Sequence, residues 1–106
     1  VVIRSKYLIQ LHKLINIEDL PLLPSEVRTD FQKYQQILSL NPYQTYEISS
    51  HDLSGKLVNC RALEIDHNQV VYRLVYRVYE IPTPKRILIL SFAEHDLAYA
   101  KAKERK

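Results

Sequence analysis

Val70-Val71-Tyr72-Arg73-Leu74-Val75-Tyr76-Arg77-Val78-Tyr79 is the stretch whose reading decides the fold. Val70, Tyr72, Leu74, Tyr76 and Val78 fall on one face at the strand period of two, and Val71, Arg73, Val75, Arg77 and Tyr79 fall on the other. A strand that alternates this cleanly has one buried and one presented face. The presented face holds two guanidiniums and a phenol. Arginine is a planar, permanently charged donor that suits phosphate. The face is built to meet an anion, nucleic acid foremost.

Outward from that strand, two further strands are predicted at about 56–65 and 86–92. Asp66-His67-Asn68-Gln69 and Pro82-Thr83-Pro84 form the turns, and such short connections make each pair antiparallel. Upstream, residues 6–15 read as a first strand with Tyr7, Ile9 and Leu11 inward. Asn16 to Leu23 is a connector with a single helical turn. A main helix from Ser25 to Ser39 repeats Val27, Phe31, Tyr34 and Leu38 at three- and four-residue steps, and Asn41-Pro42 stops it. Residues 43–55 are polar and irregular, ending in the Ser54-Gly55 turn signal. A helix rich in Ala and Lys closes the chain from Glu94. The expected fold is α+β: a small antiparallel sheet of about four strands, the long helix on one face, and a short C-terminal helix. The other face stays partly open, with Arg73 and Arg77 projecting from it.

At 106 residues, 46% of them apolar, the chain suits one domain with a core that needs no staple. The single cysteine, Cys60, excludes an internal disulfide and reads as a small buried residue, which favours a reducing, cytoplasmic setting. No apolar run approaches a membrane span and no signal-peptide pattern is legible; position 1 is Val, not Met. The net charge of +3 is unevenly placed: residues 1–55 carry −1 and residues 56–106 carry +4. The basic half is the half with the alternating strand, which points to RNA, DNA or an acidic partner.

Tyr72-Arg73-Leu74-Val75-Tyr76-Arg77, then Ile87-Leu88-Ile89-Leu90, then His95-Asp96-Leu97-Ala98-Tyr99, resembles the RelE/ParE superfamily of bacterial toxins. His51-Asp52-Leu53-Ser54-Gly55-Lys56 is similar to the turn before that family's central strands, and Arg61 to a basic position on the strand after it. The likeness covers the C-terminal half in sequence and the N-terminal half only in the order of elements. It implies the toxin of a type II toxin–antitoxin system: a ribosome-dependent, metal-independent endoribonuclease that needs no cofactor. Such an enzyme cleaves mRNA in the ribosomal A site. It implies, as partner, a cognate antitoxin that is acidic and partly disordered until it folds on the toxin. That antitoxin is expected to cover the long helix or a sheet edge, or to displace the C-terminal helix. A toxin–antitoxin heterotetramer is the associated assembly.

The implied reaction is attack of a ribose 2′-OH on the adjacent phosphate. It requires a base, an acid for the leaving oxygen, and cations for the charge on phosphorus. Arg73 matches the family's strand arginine and is assigned to the scissile phosphate, with Arg61 assisting. Histidine is the side chain that titrates near neutrality, which makes His95 the acid–base candidate. Tyr99 lies one helical turn on, on the same face, where it can stack on a base or donate a proton. Lys56, His51, Arg77 and Lys101 are candidates for phosphate contact.

Each residue also has a structural reading. Arg73 and Arg77 can pair with Glu64 or Glu80 on a solvated face. Tyr99 can close a core edge, and Tyr7, Tyr34, Tyr72 and Tyr76 read as core. Lys101, Lys103, Arg105 and Lys106 can be a solvated helix end that complements the dipole. The His51-Asp52 and His95-Asp96 dipeptides do not suggest a metal site, because neighbouring side chains on a strand diverge. Two other functions share the fold: a ParE-like toxin directed at DNA gyrase, and an inactive binding module.

Overall fold

The computed structural model describes residues 6–45 and 48–106. Its strands are β1 (Leu8–Leu11), β2 (Ser50–Asp52), β3 (Cys60–His67), β4 (Val70–Tyr79) and β5 (Arg86–Glu94), and they form one sheet in the order β1-β5-β4-β3-β2. The helices are α1 (Leu20–Leu22), α2 (Ser25–Thr29), α3 (Phe31–Leu40) and α4 (His95–Arg105). A π-helical turn at Ile15–Asp19 leads into α1, and a 3-10 turn at Gly55–Leu57 precedes β3. No described helix is long and apolar enough to cross a membrane.

The expected α+β class holds, but the sheet is five-stranded and mixed. β1 pairs with β5 in parallel, Leu8 opposite Arg86 and Leu11 opposite Ile89. The short-connection rule governs only strands adjacent in sequence, and β1 reaches β5 from the far end of the chain. β2 is the one added strand, inside the stretch read as irregular, and it pairs antiparallel to β3. The β3–β4 hairpin is tighter than expected: only Asn68 and Gln69 lie between the strands, with φ of +49° and +66°. Positive φ at both central residues is the type I′ pattern, whose twist matches that of the strands.

The main helix is broken at Asp30, between α2 and α3. The Thr29 hydroxyl donates to the Ser25 carbonyl at 2.7 Å. Such back-bonding from a Thr bends a helix. The apolar stripe survives the break: Val27, Phe31, Tyr34 and Leu38 are all buried against the first face of the sheet. There Phe31 and Tyr34 meet the Phe92 ring at centroid distances of 5.6 and 6.1 Å. Tyr72, Leu74 and Tyr76 join the same core, as the alternation in β4 requires.

The second face, expected to stay partly open, is covered in part by a helix. α4 lies on it, and Ala98 and Ala102 pack with Leu57, Cys60, Val75 and Leu90 in a second core. Small residues on the helix let its backbone come close to the sheet. A β-bulge in β5 makes the match possible. Val75 faces Ser91 and Tyr76 faces Ile89, so Leu90 is the extra residue. Leu90 and Ser91 therefore share the second face, where the Ser91 hydroxyl donates to the Ala98 carbonyl at 2.7 Å. The bulge changes the phase of the strand, so that Ile87, Ile89 and Phe92 all enter the first core.

Beyond the end of β1, the edge of β5 is covered by a side chain. Asp19, at the end of the π-helical turn, accepts the Phe92 backbone N–H at 2.8 Å. Arg105 of α4 donates to the Leu90 carbonyl at 3.1 Å. These bonds satisfy backbone groups that β1 is too short to reach.

Candidate functional site

Three of the sequence candidates, His51, Arg73 and Tyr99, and one further residue, Glu64, come together on the α4 side of the sheet. Antiparallel partners share a face, and the pairs His51–Ala62, Glu64–Arg73 and Arg73–Ala93 put His51, Glu64 and Arg73 on the α4 side. Arg73 Cζ lies 5.0 Å from the centroid of the Tyr99 ring. Its Nε is 3.5 Å from Glu64 Oε1 and makes no hydrogen bond although buried. His51 Nδ1 is 3.8 Å from the same carboxylate oxygen. The Arg73 side chain is only 20% exposed, so it is held in place by its ring and its carboxylate.

Burial pushes the Tyr99 phenol above its ordinary pKa, and the Arg73 charge offsets only part of that rise. Tyr99 therefore stays protonated at neutral pH and can donate a hydrogen bond but not act as a base. His95 sits one turn earlier on the same helix face, exposed, just past the Tyr72–Glu94 pair that ends β5. Its φ is +43°, a region that costs an L-residue about 1 kcal/mol. The junction between β5 and α4 imposes this backbone on a residue that bears an imidazole.

Glu64 is the member that sequence reasoning placed only as a possible ion-pair partner. Its signal was available in the register: three residues from Arg61 on a strand, it must lie on the opposite face and so beside Arg73.

The same alternation separates Arg61 from Arg73. Arg61 faces Tyr76, on the side of α2 and α3, so the two guanidiniums cannot serve one phosphate. Arg61 is instead enclosed in a local network. It donates to Asp52 Oδ1 at 2.7 Å and to Ser50 Oγ at 3.0 Å, and its Cζ lies 5.6 Å from the Tyr43 ring. The Tyr76 hydroxyl, 2.8 Å from Ser50 Oγ, donates to the Pro42 carbonyl at 2.6 Å. This set fastens the segment before β2 to the sheet.

Lys101 is likewise committed elsewhere. Its Nζ is 3.1 Å from Asp19 Oδ1, and Arg105 binds both oxygens of Asp19. The reading of Arg105 as part of a solvated helix end is corrected: its side chain is 5% exposed. Burial alone would raise the Asp19 pKa, but hydrogen bonds from Arg105, the Phe92 N–H and Lys101 outweigh it and hold the carboxyl below its ordinary value. Lys56 is exposed beside Gly55, whose φ of +64° suits glycine. The Lys56 carbonyl accepts Lys106 Nζ at the end of α4. Arg77 lies on the α4 side of β4, next to Tyr79.

Tyr7 and Tyr43 both donate to Glu80 Oε2, at 2.6 and 2.5 Å. Burial, and then the bond to Glu80, pushes the Tyr7 phenol up to about 12. This bond set joins residues before β1 and after α3 to the end of β4. Among the described residues, no group of three or more His, Cys, Asp or Glu side chains is close enough to share a metal ion. Comparison with family models, curated proteins and solved structures gives no match.

Proposed function

We propose that this chain is a RelE-like toxin that cleaves mRNA, and that the cluster under α4 is its reaction centre. One observation carries the reading: a guanidinium fixed between a phenol ring and a carboxylate, on a sheet face that also bears an imidazole. Its parts match the needs of transesterification at a phosphodiester.

In this reading Arg73 binds the non-bridging oxygens of the scissile phosphate and stabilises the charge that builds in the transition state. The His51 Nδ1 side faces Glu64. That orientation leaves Nε2 free to take the proton of the ribose 2′-OH, with Glu64 holding the ring. The 2′ oxygen attacks phosphorus, the bond to the 5′ oxygen breaks, and His95 gives that oxygen its proton. The products are a 2′,3′-cyclic phosphate and a free 5′-OH. Tyr99, protonated, keeps Arg73 in place and can stack on a base next to the cleaved bond. The partners of this reading are mRNA in the ribosomal A site and an acidic antitoxin that folds on the toxin.

The test is a cell-free translation reaction supplied with the purified chain, with mRNA 5′ ends mapped by primer extension with and without ribosomes. New ends within translated codons are expected, and they should vanish for Arg73→Ala and His95→Gln. Intact mRNA with unimpaired translation defeats the reading. Supercoiling by DNA gyrase is then the assay to run.

A further inference from the structure

Beyond the C-terminal end of α4, the second face of the sheet carries another set of cations. Arg77 Cζ lies 4.9 Å and Arg86 Cζ 4.3 Å from the centroid of the same ring, that of Tyr79. Tyr79 and Arg86 are directly opposite in the β4–β5 register, and Arg77 is two residues back along β4, so all three share the α4 side. All three are partly exposed. Neither Arg77 nor Arg86 is in an ion pair among the described residues. The carboxylate nearest in sequence, Glu80, is taken by Tyr7 and Tyr43.

We infer that Arg77, Tyr79 and Arg86 form a second phosphate-binding site for single-stranded RNA, separate from the Arg73 centre. The site extends the RNA reading above and rests on it for the choice of RNA over another polyanion. A ring against each guanidinium limits its rotamers and leaves its N–H edges to bind. Two fixed forks with no carboxylate to neutralise them suit successive phosphates of one strand. β5 is paired on both sides here, Arg86 lying between Leu8 of β1 and Tyr79 of β4, and β4 is paired on both sides as far as Arg77, which lies between Cys60 and Leu88. At both arginines a peptide therefore finds no strand edge to pair with, and side chains must hold the ligand. That favours a polymer with repeated charge. Arg77 stands four residues from Arg73 on the same face, about 13 Å along the strand, a gap a few nucleotides bridge.

The experiment measures binding of the full chain to a fluorescein-labelled 2′-O-methyl RNA oligonucleotide, which lacks the attacking hydroxyl, by anisotropy across a range of salt. Each phosphate contact on a single strand adds about 0.7 to the slope of log K against log salt. Arg77→Gln with Arg86→Gln is expected to lower the slope by about 1.4. Arg77→Lys with Arg86→Lys should restore it, which separates lost charge from lost fold. Arg28→Gln with Lys33→Gln removes equal charge from α2 and α3 on the other face, and should leave the slope alone. An unchanged slope for the glutamine pair, or an equal fall for the α2–α3 pair, overturns the site. So does a glutamine pair that loses binding to polyglutamate yet keeps the oligonucleotide, since that assigns the surface to an acidic protein. Absence of cleavage in the translation assay, with the slope change still observed, defeats the nuclease reading and leaves this site standing.

Discussion

Asp19 and Arg105 close a two-bond fork over the edge of β5 beyond the end of β1, Nη1 to Oδ2 at 2.8 Å and Nη2 to Oδ1 at 2.9 Å. Both side chains are almost fully buried, and the pair joins the N-terminal π-helical turn to the last turn of α4. It therefore holds α4 over the second face, with Tyr99 above Arg73.

Removing Arg105 leaves the buried Asp19 carboxylate with one cation in place of two. Arg105→Gln is expected to lower stability by about 3 kcal/mol, at the low end for a broken buried pair, because Lys101 still reaches Asp19. Urea denaturation measures this. A loss below about 1 kcal/mol, the usual limit for exposed pairs, contradicts the buried character of the fork.

The same carboxylate sets a pH dependence. Asp19 is held below its ordinary value of 3.8, so the native state binds its proton less readily than the unfolded state. The stability it contributes is fully present above that value and is lost as pH falls through the lower native pKa. Asp19→Asn should be less stable than the parent at neutral pH, and the difference should shrink as pH drops below about 4. A constant difference from pH 7 to pH 2 in denaturant midpoints, with slopes matched, excludes this linkage.

At the alkaline end, Tyr7 supplies the opposite sign. Its phenol is raised to about 12, by burial and by the bond to Glu80, so its contribution is full below pH 10 and fades as pH rises toward that value. Glu80→Gln should bring part of the tyrosine ionisation seen at 295 nm to lower pH. An unaltered titration curve contradicts the two-phenol carboxylate.

His95 carries positive φ at a junction where only glycine is free of strain. His95→Gly is expected to raise stability by up to about 1 kcal/mol while abolishing mRNA cleavage. A variant that loses stability shows instead that the imidazole contributes packing which outweighs the backbone cost. Thermal denaturation and primer extension on the same preparation separate these outcomes.

Around Arg73, the ring and the hydroxyl of Tyr99 can be tested apart. Tyr99→Phe keeps the surface against the guanidinium and should retain most cleavage. Tyr99→Ala frees Arg73 and should reduce cleavage about 100-fold, the scale of a misplaced charge-stabilising donor. Equal losses in both variants assign the function to the hydroxyl.

How far the residues alone reach can be seen strand by strand. The period of two in Val70–Tyr79 fixed both faces of β4, and the stripe of Val27, Phe31, Tyr34 and Leu38 fixed the helical layer, because burial repeats with the geometry of the backbone. The bulge at Leu90 left no trace in the apolar run Ile87–Leu90, since all four residues are welcome on either face. β2 was invisible for another reason: three polar residues form a strand only because β3 offers them an edge.

Local pattern therefore determined the class of the fold and the central strands, and put Arg73 on the face of β4 turned away from the first core, whereas His95 and Tyr99 became candidates through the family resemblance. Tertiary structure decided which cations are free. Arg61 turns to the opposite face and into the Tyr43–Ser50–Asp52 network. Lys101 and Arg105 are taken by Asp19, more than 80 residues away in sequence. Charge and spacing along a chain record what a residue can bind. The partner it does bind depends on which distant segment the sheet brings beside it, and here a parallel strand from the N-terminus brought Asp19 to α4.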